Sequence, residues 1–282
     1  MDTDAWQKIP WIEARRQPPP EVDFCLPNFL AGSVGVVAAQ AGIGKTSLLL
    51  QIAAAVALGV PVAGGLLPPP RITGRVVFLA TEDPLAVLQR RAHFLVRSLE
   101  SQGHGADVAQ HLEQQLQFYS VRSKLPNLLA NGGIGERGLD RLTSLARDSR
   151  LLILDPIRRF HLCDEQDFGQ MSLLFGLLAD IAAQTGCSIL FSHHLPQPLS
   201  TADQDDPAGA LGSSAFINAT RWVLNLTDMS RSEADRLGVA AEARRDHVRA
   251  SFTKSNYGPP LAPRWLKRSG DFEGVFDTWE AE

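Results

Sequence analysis

"VVAAQAGIGKTSLLLQIAAAVALG", residues 36–59, carries the strongest structural signal in the chain. An apolar run ends near Ala39, a short segment with two glycines follows, and a helical apolar stretch begins near Lys45. A strand, a tight turn and a helix in this order are typical of a βαβ unit. The turn nearly fits the phosphate-binding pattern G-x-x-x-x-G-K-[ST], with Ala39 at the position of the first glycine.

This turn is expected to surround the phosphates of ATP. Its backbone N–H groups lie at the positive end of the helix dipole, and Gly42 and Gly44 permit a close approach of the backbone. Lys45 is expected to reach the terminal phosphates, and the Thr46 hydroxyl to bind Mg²⁺. The alternative is a chance Gly-Lys-Thr before a helix. The predicted nucleotide-binding residues are Ala41, Gly42, Ile43, Gly44, Lys45, Thr46 and Ser47.

The composition is that of an ordinary globular protein. Of 282 residues, 44% are hydrophobic, and 27 basic against 31 acidic residues give a formal net charge of −4. Any nucleic-acid contact is therefore expected to be local and not spread over a basic face. Three widely spaced cysteines favour neither a disulfide framework nor a zinc site. No signal-like or membrane-spanning apolar run is present, which predicts a soluble cytoplasmic protein without membrane contact.

Apolar and helical segments alternate from residue 32 onward. Strands are expected at 35–39, 75–80, 117–121, 151–155 and 187–194, and helices at 45–58, 84–99, 136–148 and 170–184. Strands that are apolar throughout are typical of parallel sheets covered on both faces. Closely spaced segments at 221–227, 247–254, 263–268 and 272–277 predict an antiparallel edge. The expected fold class is α/β, a mainly parallel twisted sheet flanked by helices, within one domain over residues 25–282.

Residues 1–24 differ in character and are predicted to be an N-terminal arm. Three consecutive prolines favour an extended segment. The arm is either a disordered tail or a segment that docks on a neighbouring subunit. Trp6 and Trp11 favour docking, because solvated tails seldom carry aromatic residues.

Two predicted strand ends carry carboxylates that phosphoryl transfer would use. Asp155 ends the apolar run "LLILD" and is expected to hold the metal ion. Glu82 follows "VVFLA" and is expected to orient and deprotonate the attacking water, while Asp83 is expected to cap the helix that starts at Pro84. The alternatives are an N-cap role for Asp155 before Pro156 and solvated turn acids at the other site.

Another predicted strand, "SILFSHH", ends with His193 and His194. A polar side chain here is placed to sense the terminal phosphate and to relay its presence to the loop that follows. Neighbouring strand residues point to opposite faces, so a shared metal ion is not expected. The alternative is one structural and one exposed histidine.

The order of these motifs resembles that of the RepA-type hexameric replicative DNA helicases of broad-host-range plasmids. The resemblance rests on the phosphate loop and on "ATEDP", "LDPIRRFH", "TGCSILFSHH", "GSSAFINATRW" and "KSNYGPP...RW", and it covers nearly the whole chain. That family also lacks the first glycine of the loop. The resemblance implies a RecA-like core and a ring-shaped motor that couples ATP hydrolysis to 5′ to 3′ movement on single-stranded DNA.

The resemblance also implies roles for single residues. Lys45 and Thr46 match the nucleotide and Mg²⁺ ligands, Glu82 the catalytic glutamate and Asp155 the Walker-B acid. By the same resemblance, the sensor that couples to the DNA loop is His194.

Two further basic residues enter through the same resemblance. Arg221, in "NATRW", matches the arginine finger that reaches a neighbour's nucleotide, and Lys254, in "FTKSNYG", matches a basic residue on the adjacent strand. Arginine fingers raise the rate of phosphoryl transfer about 10³- to 10⁵-fold. A surface arginine is the alternative interpretation of Arg221.

DNA contacts are expected in loops that face the centre of a ring. Residues 195–212 are the first candidate and 122–133 the second. The first loop contains three aspartates and no Lys or Arg, whereas single-stranded DNA normally attracts cations and aromatic residues. Contacts are therefore assigned to backbone amides and to Arg122, Lys124 and His193.

Single-stranded DNA, a homo-oligomer in the form of a hexameric ring, and a replication initiator or primase are the expected partners. Two other functions remain open. A RecA-like regulatory or recombination ATPase would switch partners without unwinding, and the acidic loop favours this interpretation. A small-molecule kinase would share the phosphate loop but act as a monomer with an acceptor pocket.

Overall fold

The computed structural model describes residues 8–122, 127–130, 133–195 and 219–281. The strands are β1 (Phe24–Leu26), β2 (Phe29–Leu30), β3 (Val34–Ala39), β4 (Val76–Ala80), β5 (Leu116–Ser120), β6 (Leu129–Ala130), β7 (Gly133–Ile134), β8 (Leu151–Asp155), β9 (Ser188–His194), β10 (Trp222–Asp228), β11 (His247–Ser255), β12 (Arg264–Arg268) and β13 (Phe276–Trp279). The helices are α1 (Trp11–Arg16), α2 (Lys45–Leu58), α3 (Leu85–Ser101), α4 (Val108–Gln115), α5 (Glu136–Ala146), α6 (Phe168–Thr185) and α7 (Arg231–Leu237), with 3₁₀ turns at Ile157–Phe160 and Ala243–Asp246.

Within the described residues, a nine-stranded sheet forms the centre of the fold, in the order β13-β12-β11-β10-β3-β9-β8-β4-β5. The strands from β10 to β5 are parallel to one another, and β11, β12 and β13 extend the sheet in antiparallel fashion. This is the α/β architecture expected from the apolar runs. The parallel arrangement brings the carboxyl ends of β3, β4, β8 and β9 to one edge.

Helices cover both faces of this sheet, which explains why the central strands are apolar at every position. On β3, Val37 and Ala39 belong to a core cluster packed under α2, whereas Val36 and Ala38 belong to a second cluster with α6. All six residues of β3 are buried. A strand with two buried faces gains stability from every side chain and has no solvated side on which a polar residue is favoured.

Several local elements differ from the sequence-based prediction. Helices α1, α4 and α7 were not expected. The last strand was predicted at 272–277 but begins at Phe276, because a turn that includes Gly274, at φ +79°, comes first. Among the described residues, no helix combines the length and apolar character needed to cross a membrane.

The N-terminal segment is only partly packed against the domain. Its helix α1 has no buried residue, and Trp11 is 80% exposed. The attachment begins at Asp23, whose carboxylate pairs with the guanidinium of Arg150. Docking of this segment on another subunit remains a proposal.

Candidate active site

A cavity of about 380 Å³ lies at the carboxyl edge of the parallel strands, in front of the turn between β3 and α2. Its walls come from this turn, from the ends of β4, β8 and β9, and from the turn between β12 and β13. The residues that line it are Gly42, Gly44, Lys45, Thr46, Ser47, Ala80, Thr81, Glu82, Asp83, Arg91, Asp155, Pro156, His194, Arg268, Glu273 and Gly274.

The phosphate loop requires glycine at two positions and tolerates alanine at a third. Gly42 has φ +82° and Gly44 has φ +109°, conformations that side chains disfavour. A Cβ atom on Gly44 would also lie 2.6 Å from the ring of Phe276. Ala39 is not among the residues with positive φ and is fully buried at the end of β3. A small L-residue therefore satisfies the position where the common pattern has glycine.

Lys45 is the first residue of α2, and its side chain turns back into the loop. Nζ donates to the carbonyl oxygens of Ala39, at 2.9 Å, and Gln40, at 2.7 Å, and lies 3.1 Å from Nδ1 of His194. Burial lowers the pKa of Lys45 to about 8, against the opposing effect of the nearby carboxylates of Asp155 and Glu82. The ammonium is thus held at the mouth of the loop by neutral acceptors.

Asp155 ends β8 and is held by two hydroxyl groups. Thr46 Oγ1 donates to its Oδ2 at 2.6 Å, and Ser192 Oγ on β9 donates to its Oδ1. Burial raises the pKa of Asp155, and the two hydroxyl groups act in the opposite direction. The following 3₁₀ turn has no side-chain cap, so the geometry does not support the N-cap alternative.

The donors at this point fit a magnesium ion that is shared with a phosphate. Thr46 and Asp155 offer one hydroxyl and one carboxylate, both oxygen ligands of the kind that Mg²⁺ prefers. Among the described residues, no cluster of three or more His, Cys, Asp and Glu could hold a metal ion without help. An ion at Thr46 and Asp155 would therefore need oxygens from a phosphate and from water, as is usual for Mg²⁺ in nucleotide sites.

Glu82 and His194 face each other across the cavity. Nε2 of His194 lies 3.9 Å from Oε2 of Glu82, and the Glu82 side chain is 55% exposed. Burial, and then the charge of Lys45, lower the pKa of His194, which favours the neutral ring. Because Nδ1 faces the ammonium of Lys45, we assign the ring proton to Nε2, on the side of Glu82. His194 thus bridges the phosphate-loop lysine and the candidate base.

Asp83 does not cap helix α3, contrary to the prediction. The N-cap residue of α3 is Pro84, and no side chain caps the helix. Asp83 instead pairs with Arg91 at 3.1 Å, and Arg91 also donates to Ser47 Oγ at 2.7 Å. An arginine two turns into the helix competes successfully for the carboxylate, because a charged donor makes a stronger hydrogen bond than a backbone N–H. The pair ties α3 to the start of α2.

Arg91, Ser192, Arg268 and Glu273 complete the cavity and its supports, and sequence reasoning missed all four. No motif marked them, because they meet the phosphate loop through tertiary contacts. The position of Ser192, two residues before His194 on the same face of β9, was the one available signal.

Arg221 and Lys254 lie at the opposite edge of the sheet. The backbone N–H of Arg221 donates to the carbonyl of Val34, where β3 begins, whereas the phosphate loop follows the end of β3. Six residues of extended strand separate the two points, about 20 Å. Arg221 is exposed, and its charge contributes, after burial, to the lowered pKa of Lys254. The two cations are thus neighbours, and neither belongs to the cavity of its own chain.

The residues assigned to DNA contact are separated by the structure. Arg122 follows β5 and is exposed. His193 is only 7% exposed, and burial lowers its pKa to about 4, so its neutral ring belongs to the interior. Lys124 and residues 196–212 lie outside the described residues.

Comparisons with known proteins agree with this fold. One similar solved structure, the ATPase domain of a helicase, has a TM-score of 0.59 at 11% identity over 89% of this chain and 86% of that chain. Another, "Crystal structure of the RadB recombinase", has a TM-score of 0.56 at 14% identity over 89% of this chain and 92% of that chain.

The family assignment comes from a sequence model. The family described as AAA domain matches residues 7–198, which include the phosphate loop, both carboxylates and the histidine pair. With the sheet order and the loop geometry, this match indicates a RecA-like P-loop ATPase, a class that implies ATP hydrolysis. The chain therefore belongs to the AAA domain family.

Proposed function

We propose that this protein is an ATP-driven DNA helicase, a ring of identical subunits that moves on single-stranded DNA in plasmid-type replication. The observation that carries the proposal is the separation of Arg221 from the phosphate loop of its own chain. A nucleotide site that holds a base, a sensor and a metal-binding pair, but does not include Arg221, is complemented most simply by a second copy.

Within one subunit, the proposed chemistry uses the cavity residues in distinct roles. The loop N–H groups and Lys45 bind the phosphates of ATP, and Thr46 with Asp155 would hold Mg²⁺, which supplies charge neutralisation on the phosphates. Glu82 accepts the proton of the attacking water, a role that suits its exposed carboxylate. His194 senses the terminal phosphate, since Lys45 has to exchange its present partners when a phosphate binds.

Between subunits, Arg221 acts on the neighbour's nucleotide with Lys254 beside it. A head-to-tail arrangement brings the amino edge of one sheet toward the carboxyl edge of the next, and repetition of that contact closes a ring. A hexamer is the proposed size, with movement from 5′ to 3′ and loading by a replication initiator or primase. The exposed helix α1 is a candidate for docking on the neighbouring subunit, and a cytoplasmic location is part of the proposal.

The DNA contact is proposed for the loops at the carboxyl edge. Arg122 and Arg159 are exposed cations there, following β5 and β8. Cations on loops that border the nucleotide cavity can transmit hydrolysis to a bound strand. The buried His193 is better suited to an internal link than to a direct DNA contact.

Stimulation of ATP hydrolysis by single-stranded DNA tests this function. We expect a several-fold increase for the wild-type protein, a smaller increase for Arg122→Ala with Arg159→Ala, and an unchanged basal rate in that double variant. Arg71→Ala with Arg97→Ala is the matched control, since both arginines are exposed and lie away from the cavity. No stimulation and no strand separation by the wild-type protein would exclude the helicase.

A regulatory or recombination ATPase of the same fold is the second candidate. It is favoured by the acidic segment 195–212, which has no Lys or Arg. Filament formation, or ATP-dependent binding of a protein partner without strand separation, would support it over the helicase.

A further inference from the structure

The turn between β12 and β13 packs against the phosphate loop of the same chain. Arg268 Nη2 donates to the carbonyl oxygen of Ile43 at 2.6 Å, and its guanidinium lies 5.0 Å from the ring centre of Phe276. The same ring occupies the space beside Gly44 in which a Cβ atom would stand. These residues lie beyond the part of the chain that the family model matches.

Phe276 is itself held rigidly to the helix that follows the loop. Gln51 on α2 donates from Nε2 to the carbonyl of Phe276 at 2.8 Å and accepts from the Phe276 N–H at 3.0 Å. Both residues are buried. Arg268 therefore reaches the loop from a strand whose neighbour is fixed to α2 by two hydrogen bonds, so its position relative to the loop is well defined.

The contact with Ile43 has a direct consequence for the loop. The carbonyl of Ile43 and the N–H of Gly44 belong to one planar trans peptide, in which the two groups point in opposite directions. A cation that holds the carbonyl on one side therefore directs the Gly44 N–H to the other side. In a phosphate loop, such N–H groups are the donors that bind the anion.

We propose that Arg268 is a positioning residue that orients the Ile43–Gly44 peptide for phosphate binding, with Phe276 as its support. The loop glycines permit many backbone conformations, and an external clamp that selects one of them lowers the cost of ordering the loop when a phosphate binds. The proposal concerns nucleotide binding and is independent of whether the protein unwinds DNA.

Binding of pyrophosphate and of ADP to the full chain, measured by calorimetry, tests the proposal. Pyrophosphate reports the loop alone, whereas ADP adds the base and the sugar. We expect Arg268→Ala to weaken both ligands by the same factor, roughly tenfold, as is usual for loss of a charged hydrogen bond. Lys267→Ala removes a neighbouring exposed cation from the same strand and is expected to leave both affinities unchanged.

Two results would overturn the proposal. Unchanged affinity for pyrophosphate in Arg268→Ala would show that the loop does not need the clamp. A loss for ADP alone would place Arg268 in contact with base or sugar instead. If Arg268→Ala fails to fold, Arg268→Lys provides the same comparison. It keeps a cationic donor but not the planar group over the ring, and we expect a smaller, equal loss for both ligands.

Discussion

At the scale of single residues, Lys45 illustrates how the site prepares for an anion. Its ammonium is bonded to two carbonyl oxygens and faces His194, and none of these three partners carries a formal negative charge. A phosphate that replaces them supplies negative charge at short range. The exchange converts a burial-weakened cation into a strongly paired one, so the pKa of Lys45 rises when a nucleotide binds.

This exchange predicts that nucleotide binding takes up a proton at alkaline pH. In the free protein the pKa of Lys45 is about 8, below its usual value of 10.5, so the side chain is protonated at pH 7 and largely neutral at about pH 9. We expect ADP binding to take up nearly one proton at about pH 9. The affinity should fall by up to about tenfold per pH unit above pH 8.

Calorimetry in two buffers of different ionisation enthalpy measures this uptake. Measurements near pH 7 are the internal control, because Lys45 is protonated there before and after binding. An affinity that is independent of pH between about 8 and 9 would contradict the assignment of a lowered pKa to Lys45.

At the scale of elements, the contact between α2 and β13 joins distant parts of the chain. The side-chain amide of Gln51 satisfies both backbone groups of Phe276, which lie 225 positions away in sequence. Edge strands have unpaired backbone groups on one side, and here a side chain satisfies them. The element that carries the phosphate loop and the last strand are therefore expected to unfold together.

Replacement of Gln51 by leucine is expected to destabilise the whole domain. The change keeps the volume of a residue that is 8% exposed but leaves one buried N–H and one buried carbonyl without a partner, at a cost of about 2–4 kcal/mol in the free energy of unfolding. Urea denaturation measures it. Gln114→Leu, on the exposed face of α4, should change stability by less than about 0.5 kcal/mol. Equal stability of the two variants would show that the bonds to Phe276 contribute little.

At the scale of the whole molecule, the sheet places the two halves of the proposed chemistry at opposite edges. The base, sensor and metal-binding pair lie at the carboxyl ends of the parallel strands, and Arg221 lies where β3 begins. A side chain cannot cross the length of a strand. Catalysis by Arg221 consequently requires a second molecule.

A mixture of two inactive variants tests this requirement. Lys45→Ala is expected to abolish nucleotide binding, and Arg221→Ala to leave binding nearly intact but stop turnover. After subunit exchange, an intact site of the Arg221 variant can face an intact Arg221 of the Lys45 variant. We therefore expect the mixture to recover ATP hydrolysis that neither variant shows alone.

The same experiment has a clear negative form. Lys45→Ala mixed with Lys45→Ala, Arg221→Ala double-variant subunits is the control and should remain inactive. An Arg221→Ala protein that hydrolyses ATP normally, or mixtures that stay inactive although the subunits assemble, would exclude the role of Arg221 in trans.

Local patterns in the chain are sufficient to predict the sheet, the phosphate loop and the acids at the strand ends. A run of apolar residues specifies a strand with two buried faces, and the pattern around Lys45 specifies a turn and a helix. Parallel strands end at one edge, so Glu82, Asp155 and His194 could be expected to meet without knowledge of any contact.

The surroundings and supports of this site, in contrast, depend on how the elements pack. Asp83 was expected to cap a helix, and its pairing with Arg91 depends on how α3 packs against α2. Ser192 reaches Asp155 across two adjacent strands, and Arg268 reaches Ile43 across 225 residues of chain. Such contacts leave no periodic signal, because any donor of suitable length can make them. Their partners follow from packing and not from spacing along the chain.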